Sequence, residues 1–301
     1  MKKYILSRLI QLIPILFGIT FLTFAMMQLA ADDAVDIIYE TSGGVSEEIK
    51  SAKRHELGLD KPFLEQYIIW LKNFITGDLG KSFISGKLVF ETFAEKLPAT
   101  VELMTVSILL TILIAMPLGI ISAVRQNKFS DYVIRFISFA GNSMPNFFAG
   151  LLLIYLLALK LNLLPIIGAS VIMPALTLTI AMSAKYTRQI RAVVLEELNK
   201  DYVIGARARG ISEIKILIEH VLRSVLIVII TLLALSIGNL LGGTAIVETI
   251  FMWDGVGKMA VDAILMRDYP IIQAYVVWMS IIYVVVNLIA DIFAKFLDPR
   301  L

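Results

Sequence analysis

The chain alternates long apolar windows with short charged segments. Six windows contain no Asp, Glu, Lys or Arg: Leu9–Ala31, Leu103–Val124, Phe136–Leu159, Leu161–Ala184, Ser224–Val247 and Tyr269–Ala290. A helix needs about 20 residues to cross the hydrocarbon core of a bilayer, and every window is that long. In lipid only helices and closed barrels satisfy their own backbone polar groups, and these windows lack the alternation of barrel strands. The pattern therefore predicts an all-α membrane protein with six transmembrane helices.

The basic residues give that array a direction. Lys2, Lys3 and Arg8 precede the first window, and Arg125, Lys128 and Arg135 lie between the second and third. A third group occupies 185–223, and Lys295 and Arg300 follow the sixth window. If every window spans, all four groups share one face, which the positive-inside rule makes cytoplasmic, with both termini on it. The first window is longer than the apolar core of a secretory leader, and Ala30-Ala31 is only a weak cleavage signal, so it reads as a retained helix. Three regions result: 1–31 with the first helix, an extracytoplasmic segment 32–100, and a core 101–301 with five helices.

The outer segment is net acidic. Ser46 is placed to cap a helix running toward Leu57, and Asp60 to cap a second with Pro62 in its first turn. Phe63, Leu64, Tyr67, Ile68, Leu71, Phe74 and Ile75 recur at helical spacing, which predicts an amphipathic helix lying in the membrane interface. Gly80-Lys81-Ser82 imitates part of a phosphate-binding loop, but Ile75 stands where that loop needs a glycine, so no nucleotide site is expected. Pro165, Gly168 and Pro174 predict a tight outer hairpin with the fourth helix starting near Met173, and Pro117 and Pro145 are placed to kink their helices.

Composition narrows the function. Of 301 residues 58% are apolar, against ~45–50% in soluble domains, and mean hydropathy is +0.82. A net charge of +2 offers nothing to nucleic acid. With no cysteine, disulfides and thiol chemistry are excluded. The two histidines, His55 and His220, are predicted on opposite faces, so no Ser–His–Asp set forms and a stable metal site lacks ligands. An enzyme is thereby disfavoured. A stand-alone secondary transporter or channel stays open as an alternative, although ion-coupled transporters usually place ionisable groups at the bilayer midplane and these windows have none.

The longest polar run of the second half is Lys185–Arg223. At its centre lies Asp201-Tyr202-Val203-Ile204-Gly205-Ala206-Arg207-Ala208-Arg209-Gly210. Asp201 suits the start of a short helix, and Gly210 can end it at positive φ. Small residues at 205, 206 and 208 are expected to form a surface open to close approach by a partner.

This stretch resembles the cytoplasmic coupling loop of ABC-importer permeases, in which Glu-Ala-Ala, three residues, Gly, nine residues and Ile-x-Leu-Pro follow one another. Ala206, Gly210 and Leu222 match that pattern strictly, and Gly205–Gly210 followed by His220-Val221-Leu222-Arg223 is similar to the peptide and nickel subfamily. The resemblance extends over Leu57–Phe83, Glu248–Gly257, Arg267–Pro270 and Leu297–Arg300. It implies a type I permease fold and a subunit of a prokaryotic inner-membrane importer. The implied partners are a second homologous permease, two cytoplasmic ATPases and an extracytoplasmic binding protein. ATP would be bound by the ATPases, with no cofactor in this chain. It also gives Asp201, Tyr202, Gly205, Ala206, Arg207, Ala208 and Gly210 a role in ATPase coupling.

Substrate is read from few residues. Ser143-Met144-Pro145-Asn146-Phe147 and Asp32-Asp33-Ala34-Val35-Asp36 resemble the nickel branch, which makes nickel, free or chelated, the expected cargo and peptides the alternative. Met144, Asn146 and Asn239 are the candidate pathway residues, as weak ligands compatible with transit.

Overall fold

The computed structural model describes residues 2–29, 34–40, 45–165 and 170–297. Among these residues the chain is almost wholly helical, with one isolated antiparallel bridge between Lys81 and Leu88. It divides into two compact units, 1–100 with 254–285, and 101–253 with 286–301.

The first unit opens with α1 (Lys2–Gln28), α2 (Ala34–Glu40), α3 (Glu47–Leu57) and α4 (Phe63–Ile75). The predicted amphipathic helix is α4, which packs on α1 through its aromatic side chains. Tyr67 is buried, its hydroxyl lies 3.0 Å from Thr20 Oγ1, and its ring meets Phe21 and Phe24 edge-on at 5.4 and 5.5 Å. Leu64, Ile68 and Ile75, farther round the same broad apolar face, stay exposed, with Glu65, Lys72 and Asn73 on the opposite side, the pattern of an amphipathic helix. The expected caps form differently. Ser46 is the N-cap of α3 but makes no side-chain cap bond, and Pro62 rather than Asp60 precedes α4. The Asp60 carboxylate is 2.7 Å from His55 Nδ1 instead, which holds its pKa below the usual value.

The Gly80-Lys81-Ser82 run builds a small hairpin. Ser82 N donates to Lys87 O, Val89 N donates to Gly80 O, and positive φ at Gly80 and Gly86 permits both turns. The hairpin closes over Asp268, whose carboxylate accepts from the Ser82 hydroxyl and from Phe83 N at 3.0 Å. Burial pushes the Asp268 carboxyl above its ordinary value, partly offset by these donors. Asp268 sits between α12 (Val256–Leu265) and α13 (Tyr269–Leu297). The motif that imitates a nucleotide loop is a structural clasp.

The second unit is organised by α8 (Ile172–Leu198), against which pack α6 (Phe129–Ser143), α7 (Asn146–Leu153) and α11 (Leu222–Ile250). Small residues set the closest approaches. A Cβ placed on Gly119, within α5 (Val89–Val124), would fall 2.7 Å from the Ile190 Cβ and 3.0 Å from the Thr187 carbonyl oxygen. We expect Gly119→Ala to cost about 1–3 kcal/mol by overpacking. Unfolding midpoints measure the loss; no change in the variant would show that this contact is slack.

The helices depart from the charge-free windows at the third and the fourth. The third window is two helices, α6 and α7, bent by 104° at Met144-Pro145, with Ile154–Lys160 continuing α7 as π-helical turns. Proline lacks the N–H that would continue the ladder and forces its predecessor out of the helical region, and Met144 is extended at φ −85°, ψ 123°. The fourth helix, α8, begins at Ile172, next to the start expected near Met173, and runs past its window through Lys185, Arg188 and Arg191, while 166–169 lie outside the described residues. Pro117, by contrast, interrupts nothing in α5. Among the described residues, α5 and Tyr269–Ile289 are long and apolar enough to cross a membrane alone, and the bent pair adds a third if it is one span.

Candidate functional site

The Lys185–Arg223 stretch is almost entirely helical: the end of α8, then α9 (Asp201–Ala208), α10 (Glu213–Ile216) and π-helical turns over Leu217–Val221 leading into α11. Asp201 is the first residue of α9, where a carboxylate favours the helix N-terminus, and the capping position is Lys200. The helix ends as expected. Gly210 has φ +76°, its N–H donates to Arg207 O, and Ile211 N donates to Ala206 O. The Arg207 guanidinium forks onto Glu213 at 2.8 and 3.1 Å, which depresses the Glu213 pKa and fixes the turn after α9. The Tyr202 hydroxyl donates to Glu197 Oε1 at 2.7 Å, and Lys200 Nζ meets the same carboxylate at 2.6 Å, so α9 is tied to the end of α8.

One side of α9 is core. Val203 and Ala206 are buried in the cluster that holds Ala115, Ala123, Ile190, Val194, Val221 and Val225. Ala206 therefore does not belong to the outward surface expected of positions 205, 206 and 208. Gly205, Ala208 and Gly210 are exposed, together with the apolar side chains of Tyr202, Ile204 and Ile214. A Cβ on Gly205 would meet nothing within 4 Å. The helix is thus packed into the unit on one face and exposed on the other.

Elsewhere in the second unit a polar network joins residues that sequence reading does not relate. Asp131, in the first turn of α6, is fully buried and accepts from Arg191 Nε and Nη2, both at 2.8 Å, from Ser122 Oγ at 2.5 Å and from Asn127 N at 3.0 Å. The guanidinium holds the Asp131 carboxyl far below the usual carboxylate range, and the Arg191 pKa is raised in turn. The group joins α5, the turn at Asn127 (φ 60°), α6 and α8. Its only sequence signal is an isolated acid amid basic residues.

Of the candidate pathway residues, Asn146 opens α7 and lines a cavity of about 160 Å³ with Leu178, Ala181, Met182, Lys185, Tyr186, Ser236 and Leu240. Met144 stands at the break between α6 and α7 and is not among that lining. Asn239 lies on α11, and its side chain is outside the described residues. Lys185, Ser236 and Tyr186 were not singled out for a pathway. They give this cavity one cation and two hydroxyls among apolar walls. A larger cavity of about 400 Å³ lies in the first unit between α3, α4 and the start of α13. His55, Glu56, Lys61 and Asp78 are among its lining.

The described residues thus present long apolar helices, a short helix with one buried and one exposed face, and a mainly apolar cavity with a few polar groups. Residues 115–301 match the family described as "Binding-protein-dependent transport system inner membrane component", and 1–104 match its N-terminal companion. The chain belongs to that family, the permease subunits of ABC importers, in which separate ATPase subunits hydrolyse ATP and substrate-binding partners deliver cargo. It is 39% identical to the oligopeptide transport system permease protein AppB of Bacillus subtilis, over 100% of this chain and 99% of that one. It is 34% identical to the glutathione transport system permease protein GsiC of Escherichia coli K12 (100% and 99%) and 33% to the metal-staphylopine import system permease protein CntB of Staphylococcus aureus (100% and 98%). Among solved structures, the inward-facing MetNI methionine ABC transporter superposes with TM-score 0.61 at 15% identity, covering 68% of this chain and 96% of that one. An amino acid ABC transporter does so with TM-score 0.55 at 18% identity (70% and 95%). Both likenesses concern the fold.

Proposed function

We propose that this chain is a peptide-importing permease, and that nickel, the cargo expected from Ser143–Phe147 and Asp32–Asp36, is not its substrate. The observation that carries this reading is the 39% identity to an oligopeptide permease along the whole chain. The residues behind the nickel expectation have other roles: Pro145 makes the break between α6 and α7, and Asp36 is held by Lys50 at 3.1 Å and Arg54 at 2.8 Å. Asp32 and Asp33 lie outside the described residues. Lys185, Asn146 and Ser236 are the groups offered to a passing peptide, the lysine to its carboxylate.

In this reading the chain crosses the inner membrane six times with both termini cytoplasmic. It pairs with a second, similar permease, and each receives an ATPase on the bare face of α9. A cysteine at Ser85 would then react with impermeant maleimide from outside and one at Asn127 would not; the reverse labelling would invert the orientation. Substrate is tested by uptake into proteoliposomes holding the complete importer with its own binding protein. Labelled tri- and tetrapeptides should accumulate with ATP and radiolabelled nickel should not. Nickel uptake without peptide uptake would overturn the assignment.

A further inference from the structure

The cavity between α6 and α8 on the basic side of the second unit is used by neither the coupling helix nor the pathway. It measures about 470 Å³ and is lined by Tyr132, Arg135, Phe136, Phe139, Arg188 and Arg191. Tyr132, Arg135, Phe136 and Phe139 stand at i, i+3, i+4 and i+7, a single stripe along α6. Arg188 and Arg191 face them from one turn of α8.

The three arginines are not equivalent. Arg191 is committed to Asp131, so its charge is cancelled. Arg135 and Arg188 are exposed and carry no acidic partner among the described residues; the Arg135 guanidinium lies 5.8 Å from the Tyr132 ring centroid. The pocket therefore keeps two positive charges. Beside them Tyr132, Phe136 and Phe139 are 55%, 75% and 66% exposed, an apolar edge that water does not favour.

We propose that this pocket binds the headgroup of an anionic phospholipid. Guanidinium forks match phosphate oxygens two at a time. Aromatic rings are most stable at headgroup depth, and their apolar bodies continue toward the acyl chains. Basic pockets between helices at the cytoplasmic side are where anionic headgroups gather, and the charge on these arginines places the pocket on that side under the proposed orientation. The lipid would brace α6 against α8 beside the Asp131–Arg191 pair, so headgroup charge would be felt by the stability of the second unit.

The test uses the assembled importer in nanodiscs of dioleoylphosphatidylcholine, with or without dioleoylphosphatidylglycerol. Native mass spectrometry should show phosphatidylglycerol retained over phosphatidylcholine, and the unfolding midpoint should rise in the mixed discs. Arg135→Gln with Arg188→Gln should lower that preference by roughly fivefold per arginine and ~30-fold together. The double variant's midpoint in pure phosphatidylcholine should match the wild type, which separates lost binding from lost folding. Arg135→Lys with Arg188→Lys, keeping the charge without the fork, should fall between. Equal retention by wild type and double Gln variant would overturn the proposal. So would an equal rise in midpoint with inorganic phosphate alone, which would make the ligand a free anion. Photocrosslinking to the second permease from a benzoylphenylalanine placed at Phe136 would give the pocket to a protein neighbour and overturn it as well.

Discussion

Replacing Asp131 by alanine is expected to destabilise the second unit by about 3 kcal/mol, because removing one partner of a buried ion pair leaves the other charge unpaired. The loss also strands Ser122 Oγ and Asn127 N, both of which donate to this carboxylate. Unfolding midpoints in mixed detergent micelles measure the effect. Asp131→Leu combined with Arg191→Met should recover much of the loss, since a well-packed apolar pair can replace a buried ion pair at little cost. An unchanged midpoint in Asp131→Ala would show that the network contributes nothing. The pH dependence has a definite sign. The native carboxyl titrates below its unfolded value of 3.8, so the contribution is complete above that pH and is lost as pH falls below it.

The second large effect is expected at Gly205, and it separates docking from folding. A leucine there occupies open space and raises helix propensity by about 1 kcal/mol, so α9 should form at least as well as in the wild type. The added side chain nevertheless stands on the only bare face of α9. We expect Gly205→Leu to insert and fold normally while losing most ATPase pull-down and permease-stimulated hydrolysis. Arg207→Glu is a less clean probe, because it also breaks the fork onto Glu213. A bulky residue at Ala206 would be less clean still, because it would enter the core. Wild-type coupling in Gly205→Leu would remove α9 from the ATPase interface.

How much of this was legible depended on whether a residue acts locally. Gly210 was readable because a helix end needing positive φ is a local demand that glycine meets. The apolar face of α4 was readable because thirteen residues give the helical period room to show itself. Ala206 was not, since α9 has eight residues and small side chains leave no periodic mark on so short a helix. The break at Met144-Pro145 had a visible cause, but charge-free composition runs straight through it and counts one span where the backbone makes two helices. Asp131 and Arg191 are sixty positions apart, and Ser82 and Asp268 farther still; no spacing rule relates them. Lys185 was visible only as one of many basic residues until folding set it beside Asn146 and Ser236.

The central claim is that this chain forms a peptide pathway driven by partner ATPases, and Ala181 offers its most direct test. It lines the cavity of about 160 Å³ and lies well away in sequence from α9. The measurement is ATP-dependent uptake of labelled tetrapeptide by proteoliposomes holding the complete importer, with Ala181→Trp compared to wild type and ATPase pull-down followed in parallel. Wild-type uptake that requires ATP, abolished by Ala181→Trp with ATPase docking intact, is the predicted result. Unchanged peptide uptake through the filled cavity, or wild-type uptake indifferent to ATP, would contradict it.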